Sequence, residues 1–215
     1  MLPKGDEKMK IVEYVSYMIL PIFVLLIIAF GEKKKVSTYD TFTEGAILFK
    51  IGDLIVYGNS GVCRVEKIGP PELKGVPADV DYYTLMPLYS STSRILTPVN
   101  NERVVMRPVI SADQANEVLE SISVIACIEI EEEKHREDTY KDVMKNNDCK
   151  RIVGLLKTIQ KRKEQRIAEG KKITASDEKY FNMASDKLCG ELAVVLGKDK
   201  NQIRETVLNR VQAFA

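Results

Sequence analysis

Few side chains in this sequence could do covalent chemistry. His135 is the one histidine, and it stands among Glu129, Glu131, Glu132 and Glu133, which reads as a solvated side chain rather than a general base. Cys63, Cys127, Cys149 and Cys189 lie far apart with no CxxC pair, so a zinc site is not in prospect. Reduced, packed thiols fit a cytosolic environment. Gly58 and Gly61 are too few to cradle a phosphate and open a turn, not a helix. No nucleophile stands beside a base and no carboxylate pair suggests acid–base work. The expectation is therefore a binding protein without enzymatic activity, cofactor or metal.

Binding through charge must be local. The chain has 32 lysines and arginines against 31 aspartates and glutamates, a formal charge of +1, and so exerts no global pull on nucleic acid. The exception is the interval from Lys150 to Lys172, with nine Lys/Arg and two Glu. Lys150, Arg151, Lys157, Lys161, Arg162, Lys163, Arg166, Lys171 and Lys172 could line a phosphate-facing stripe, or form an ordinary solvated helix face.

The elements that would position these residues are of three kinds. Residues 14–30, YVSYMILPIFVLLIIAF, carry no charge, and with Ile11 and Val12 the apolar stretch reaches 20 residues interrupted only by Glu13. That is close to the roughly 20 residues a helix needs to cross a bilayer. Lysines flank both sides, and no A-x-A-like cleavage site follows, which argues against a signal peptide. From Phe49 the pattern turns to short β-branched runs between turn residues. These are Leu54–Tyr57, Val62–Ile68 with alternating polarity, Tyr82–Leu88, Ser93–Pro98 and Val104–Pro108. Pro98 ends its strand, and Pro87 fits only where no ladder bond is lost, so this part of the sheet should be an edge open to strand addition.

Beyond it the periodicity is helical. Ser111-Ala112-Asp113-Gln114 fits a capping box before Ala115, Val118, Leu119 and Ile122. Helical spacing resumes through Tyr140 and Val143. Asn146-Asn147-Asp148 interrupts it and caps a helix carrying Ile152, Val153, Leu155, Leu156 and Ile159. A long helix through Phe181, Ala184, Leu188, Leu192 and Val195 should end at Gly197, and the last helix offers Ile203, Val207, Leu208 and Val211. The fold class is α+β: an N-terminal membrane helix, a small β-barrel, then an all-α domain, with boundaries at 1–46, 47–110 and 111–215.

The run FKIGDLIVYGNSGVCRVEKIG at Phe49–Gly69, continued by YYTLMPL, RILTPV and MRPVI, resembles the opening domain of the CarD family of bacterial transcription regulators, which is shared with the transcription-repair coupling factor. Weaker similarity runs to about Arg210. The resemblance implies a Tudor-like barrel that docks on the RNA polymerase β subunit by pairing a strand with it, here Ser93, Arg94, Ile95, Leu96 and Thr97. It also implies a helical domain on promoter DNA upstream of the melted region, acting as a monomer to modulate initiation. Two departures stand out: Leu96 occupies a position where family members often carry arginine, and there is no tryptophan to wedge into the minor groove. The wedge position falls near His135 or Arg136. The DNA-binding set is then His135, Arg136, Lys150, Arg151, Lys157, Lys161, Arg162, Lys163 and Arg166.

Residues 14–46 are also similar to the first membrane helix of spore maturation protein B, without the later helices of such a protein. Combined with the regulator reading, residues 11–30 would anchor cytoplasmic domains to the inner face of the plasma membrane. The alternative is a membrane-anchored sporulation or transport-related component with a soluble interaction domain.

Overall fold

The computed structural model describes residues 49–71, 80–89 and 93–214. The expected membrane segment lies outside the described residues, among which no helix is long and apolar enough to cross a membrane. Residues 46–215 group into one compact unit.

Its first part is an antiparallel sheet of β1 (Leu54–Tyr57), β2 (Gly61–Gly69), β3 (Tyr82–Pro87), β4 (Ile95–Pro98) and β5 (Met106–Pro108), in the order β4-β3-β2-β1-β5. The strands alternate as their sequence suggests. In β3, Tyr83, Leu85 and Pro87 are buried between half-buried neighbours, and Tyr83 and Leu85 join Phe49, Ile55, Cys63 and Val65 in a small core. The Tyr83 hydroxyl accepts the Phe49 amide at 2.9 Å, tying the start of the module to its centre. Gly58 opens the β1–β2 turn at φ 45°. A Cβ there would meet Val104 Cγ1 at 2.6 Å, so both the backbone and the space demand glycine.

The expected barrel is instead an open sheet. β4 and β5 stand at opposite edges with no ladder between them. β5 has only three residues and its Arg107 reaches away from the sheet to Glu191 on the helices.

Five helices follow among the described residues: α1 (Ala112–Ser121), α2 (Arg136–Asn146), α3 (Cys149–Ala168), α4 (Ala175–Leu196) and α5 (Lys200–Gln212). Their ends follow local chemistry. Ser111 and Gln114 make both bonds of the capping box. Asp148, Thr174 and Asp199 accept amides at the starts of α3, α4 and α5. Asn147 after α2 and Gly197 after α4 are left-handed, at φ 58° and 61°. α3 runs through the middle of the helical core, buried continuously from Ile152 to Gln160. Its Ile152, Leu155, Leu156 and Ile159 pack with Tyr140, Leu188, Leu192, Ile203 and Val207. Each such side chain contributes about 1.5–3 kcal/mol by leaving water.

Candidate functional site

Among the described residues β4 pairs with β3 on one side only, in the register Tyr82 with Pro98, Tyr83 with Thr97, Thr84 with Leu96 and Leu85 with Ile95. The Val99 amide donates to the Asp81 carbonyl at 3.0 Å. In an antiparallel ladder, hydrogen-bonded pairs alternate with non-bonded ones. Thr97 and Ile95 therefore turn their N–H and C=O toward β3, while those of Leu96, and of Arg94 just ahead of the strand, point to the open side. Pro98 also falls on that side, so its missing N–H breaks no bond within the sheet.

Side chains along the edge divide in the same way. Thr97 is buried and Ile95 packs against the small core. Leu96 is half-buried, and Ser93 and Arg94 are exposed. Arg94 Nε donates to Glu66 Oε2 at 2.8 Å, and Glu66 lies where the β2–β3 register shifts between Val65 and Lys67. With Thr84, Leu96 and Pro70 these residues line an open groove of about 450 Å³ beside the free edge. The sequence offered no sign of Glu66 or Thr84 here, because both enter through strand register.

The basic residues of the helical region are not one stripe. Lys157 is only 5 % exposed, and its ammonium donates to the carbonyls of Ile122, Ser123 and Ile125 at 3.1, 3.2 and 2.6 Å. It satisfies carbonyls left open where α1 ends and does not belong to an external face. Arg162 likewise turns inward, donating to both oxygens of Glu133 at 2.9 and 2.7 Å, with its Nε 3.7 Å from Asp177. Arg136 pairs with Glu133 and lies 3.2 Å from the buried Asp177 carboxylate, which also accepts the Tyr140 hydroxyl at 3.1 Å. Hydrogen bonding to Arg162 holds the Glu133 carboxyl below the usual range. These two arginines neutralise Glu133 and Asp177.

His135 is exposed, but its ring lies 4.0 Å from Glu132 and 3.8 Å from Asp138, in a pocket also lined by Glu129 and Glu131. The surroundings of this ring are acidic. Lys150 and Arg151 make exposed pairs with Glu117 and Asp142, at 2.6 and 3.1 Å. Pairs of this kind contribute about 0–1 kcal/mol and exchange readily for other anions. Lys161 is exposed and Lys163 half-buried near the other end of α3. Arg166 Nε donates to the Lys172 carbonyl at 2.8 Å. The outward cations thus form two clusters, and Lys150 and Lys161 stand roughly 16 Å apart along the helix. Among the described residues no group of three or more His, Cys, Asp and Glu could hold a metal ion.

An open-edged antiparallel sheet joined to a helical bundle defines an α+β protein. Residues 49–110 match the family model of the CarD-like/TRCF RID domain, and this stretch belongs to that family of RNA polymerase-interacting domains. The match supports an RNA polymerase-interacting, transcription-related role for this domain. The match ends at Ile110, one residue before the Ser111 cap of α1.

Proposed function

We propose that the chain regulates transcription initiation by adding β4 to a strand of the RNA polymerase β subunit while its helical region contacts promoter DNA. The observation that carries the first half is the open β4 edge, with the Leu96 backbone turned outward, inside a domain of the polymerase-interacting family. Strand addition uses main-chain hydrogen bonds for affinity and adjacent pockets for selectivity, and the Glu66–Arg94–Leu96 groove supplies such a pocket. Pro70, Pro71, Ile95 and Leu96 give it apolar lining, beside Lys67 and the exposed Arg94–Glu66 pair.

The second half rests on the outward cations at the two ends of α3, Lys150 and Arg151, then Lys161, Lys163 and Arg166. Contacts from these would be to the phosphate backbone and so independent of sequence. A pull-down of purified polymerase β lobe by the chain tests the proposal. Retention of the lobe by the parent chain and its loss in Leu96→Pro is the expected result; no retention by the parent chain refutes it.

A further inference from the structure

The covalent link between sheet and helices is short. Only Val109, Ile110 and Ser111 lie between the end of β5 and the start of α1. By itself such a link would act as a hinge, and the angle between the β4 edge and α3 would be free. The structure closes it with side chains. Arg107 on β5 donates to Glu191 Oε1 and Oε2 on α4 at 2.5 and 2.7 Å, a two-point grip that fixes direction as well as distance. The same guanidinium donates to the Asn147 carbonyl at the α2–α3 corner through Nε and Nη2, at 3.1 and 2.6 Å.

Glu191 is 2 % exposed, and it also accepts the Ile110 amide at 3.1 Å, so it holds the linker as well as the strand. Its neighbour makes a second clamp. Tyr89, just beyond β3, donates to the Gly190 carbonyl at 3.2 Å, and its ring faces the Lys200 ammonium at 4.6 Å. A Cβ at position 190 would meet Tyr89 Cε2 at 3.0 Å, so the glycine leaves room for this approach.

We infer that Arg107 and Glu191 are a positioning pair that locks the sheet to the helical bundle as one rigid body, so that a partner on β4 determines where α3 lies. The sheet order supports this, since β4 and β5 are its opposite edges. One edge is open to a partner and the other is bolted to the helices. Rigid joining raises the effective concentration of the second contact once the first is made. This coupling rests on the proposed function, whereas the rigidity does not.

The test uses spin labels on the exposed Cys127 and on Ser93→Cys, with Cys63, Cys149 and Cys189 buried, in the full chain. The parent should give one narrow distance distribution. Glu191→Gln, which keeps the shape of the side chain and loses its charge, should broaden it. Arg107→Lys, which keeps a charge and loses the two-point grip, should do the same. A distribution of parental width in either folded variant overturns the inference, whatever the partner. Affinities then test the coupling. Glu191→Gln should bind isolated β lobe and isolated duplex within about twofold of the parent, but a polymerase–promoter complex at least about tenfold more weakly. A joint loss no larger than the product of the separate losses overturns the coupling and leaves β-lobe binding standing.

Discussion

Arg162 grips Glu133 with both terminal nitrogens, at 2.9 and 2.7 Å, and together with Arg136 closes over the buried Asp177. A residue in the middle of the most basic stretch of the chain is thereby an internal tie between α3 and the turn before α2. Only Asp177 of this cluster is fully buried, and with either arginine removed it keeps the other and the Tyr140 hydroxyl.

Nucleic-acid binding should accordingly depend on Lys161 and Lys163 but not on the inward-facing Lys157. Lys161→Glu with Lys163→Glu should weaken duplex binding across unrelated sequences and make the log–log salt slope shallower by roughly 1.8 if both contact phosphate. Lys157→Met should leave the slope unchanged and lower stability by about 1–3 kcal/mol, since it strips the Ile122, Ser123 and Ile125 carbonyls of their donor. Salt titrations and urea unfolding separate the two effects. An unchanged slope in the double variant removes that end of α3 from the interface.

Proline substitutions should resolve the two sides of β4. Leu96→Pro deletes an outward amide and spares the β3 ladder, so polymerase β-lobe binding should be lost while the chain stays folded. Ile95→Pro deletes an amide that faces Leu85 and should lower stability by about 3 kcal/mol. Equal lobe affinities of Leu96→Pro and parent, measured by calorimetry, would place the interface elsewhere.

Stability should pass through a maximum between pH 8 and 9. Burial and the nearby Arg107 push Lys187 from 10.5 down to about 8, while its nitrogen donates to the Met144 carbonyl at 2.7 Å. From pH 8 upward the unfolded chain keeps a proton there that the folded chain releases, so stability rises with pH. Burial pushes the thiols of Cys63, Cys149 and Cys189 from 9.0 up to about 11, 12 and 11. Above pH 9 these protons are lost first from the unfolded chain, so three opposing groups outweigh the lysine and stability falls. Urea midpoints from pH 7 to 10.5 should trace this curve. Lys187→Met should abolish the rise and keep the fall; a rise that survives in the variant belongs to another group.

Gly154 on α3 should not tolerate a methyl group. A Cβ there would lie 2.8 Å from the Ala126 backbone carbonyl and 3.2 Å from Ile128 Cδ1. Thr158, one turn on, accepts the Ile128 amide at 2.8 Å and keeps that segment close. Helix propensity favours alanine over glycine by about 1 kcal/mol, yet overpacking against backbone costs about 1–3 kcal/mol. Gly154→Ala should therefore melt lower than the parent, and a higher melting temperature would show that the 126–128 segment yields easily.

The sequence alone determined the features whose causes lie within a turn or a strand. The Ser111–Gln114 box, the Asp148 cap and the Gly197 stop each join groups a few residues apart, so they are legible without knowing the fold. The free β4 edge was legible through Pro98, whose missing amide has one acceptable direction. Tertiary structure decided which charges face outward and what joins the sheet to the helices. Lys157 meets carbonyls more than 30 residues away, and Arg107 meets Glu191 across 84 residues. A cation's solvation depends on the groups that packing brings opposite it, and composition along one helix carries no record of those partners. For the same reason periodicity marked five short strands as a sheet, while only the pairing order showed that it stays open: closure requires the first and last edges to meet, and here β4 and β5 do not pair.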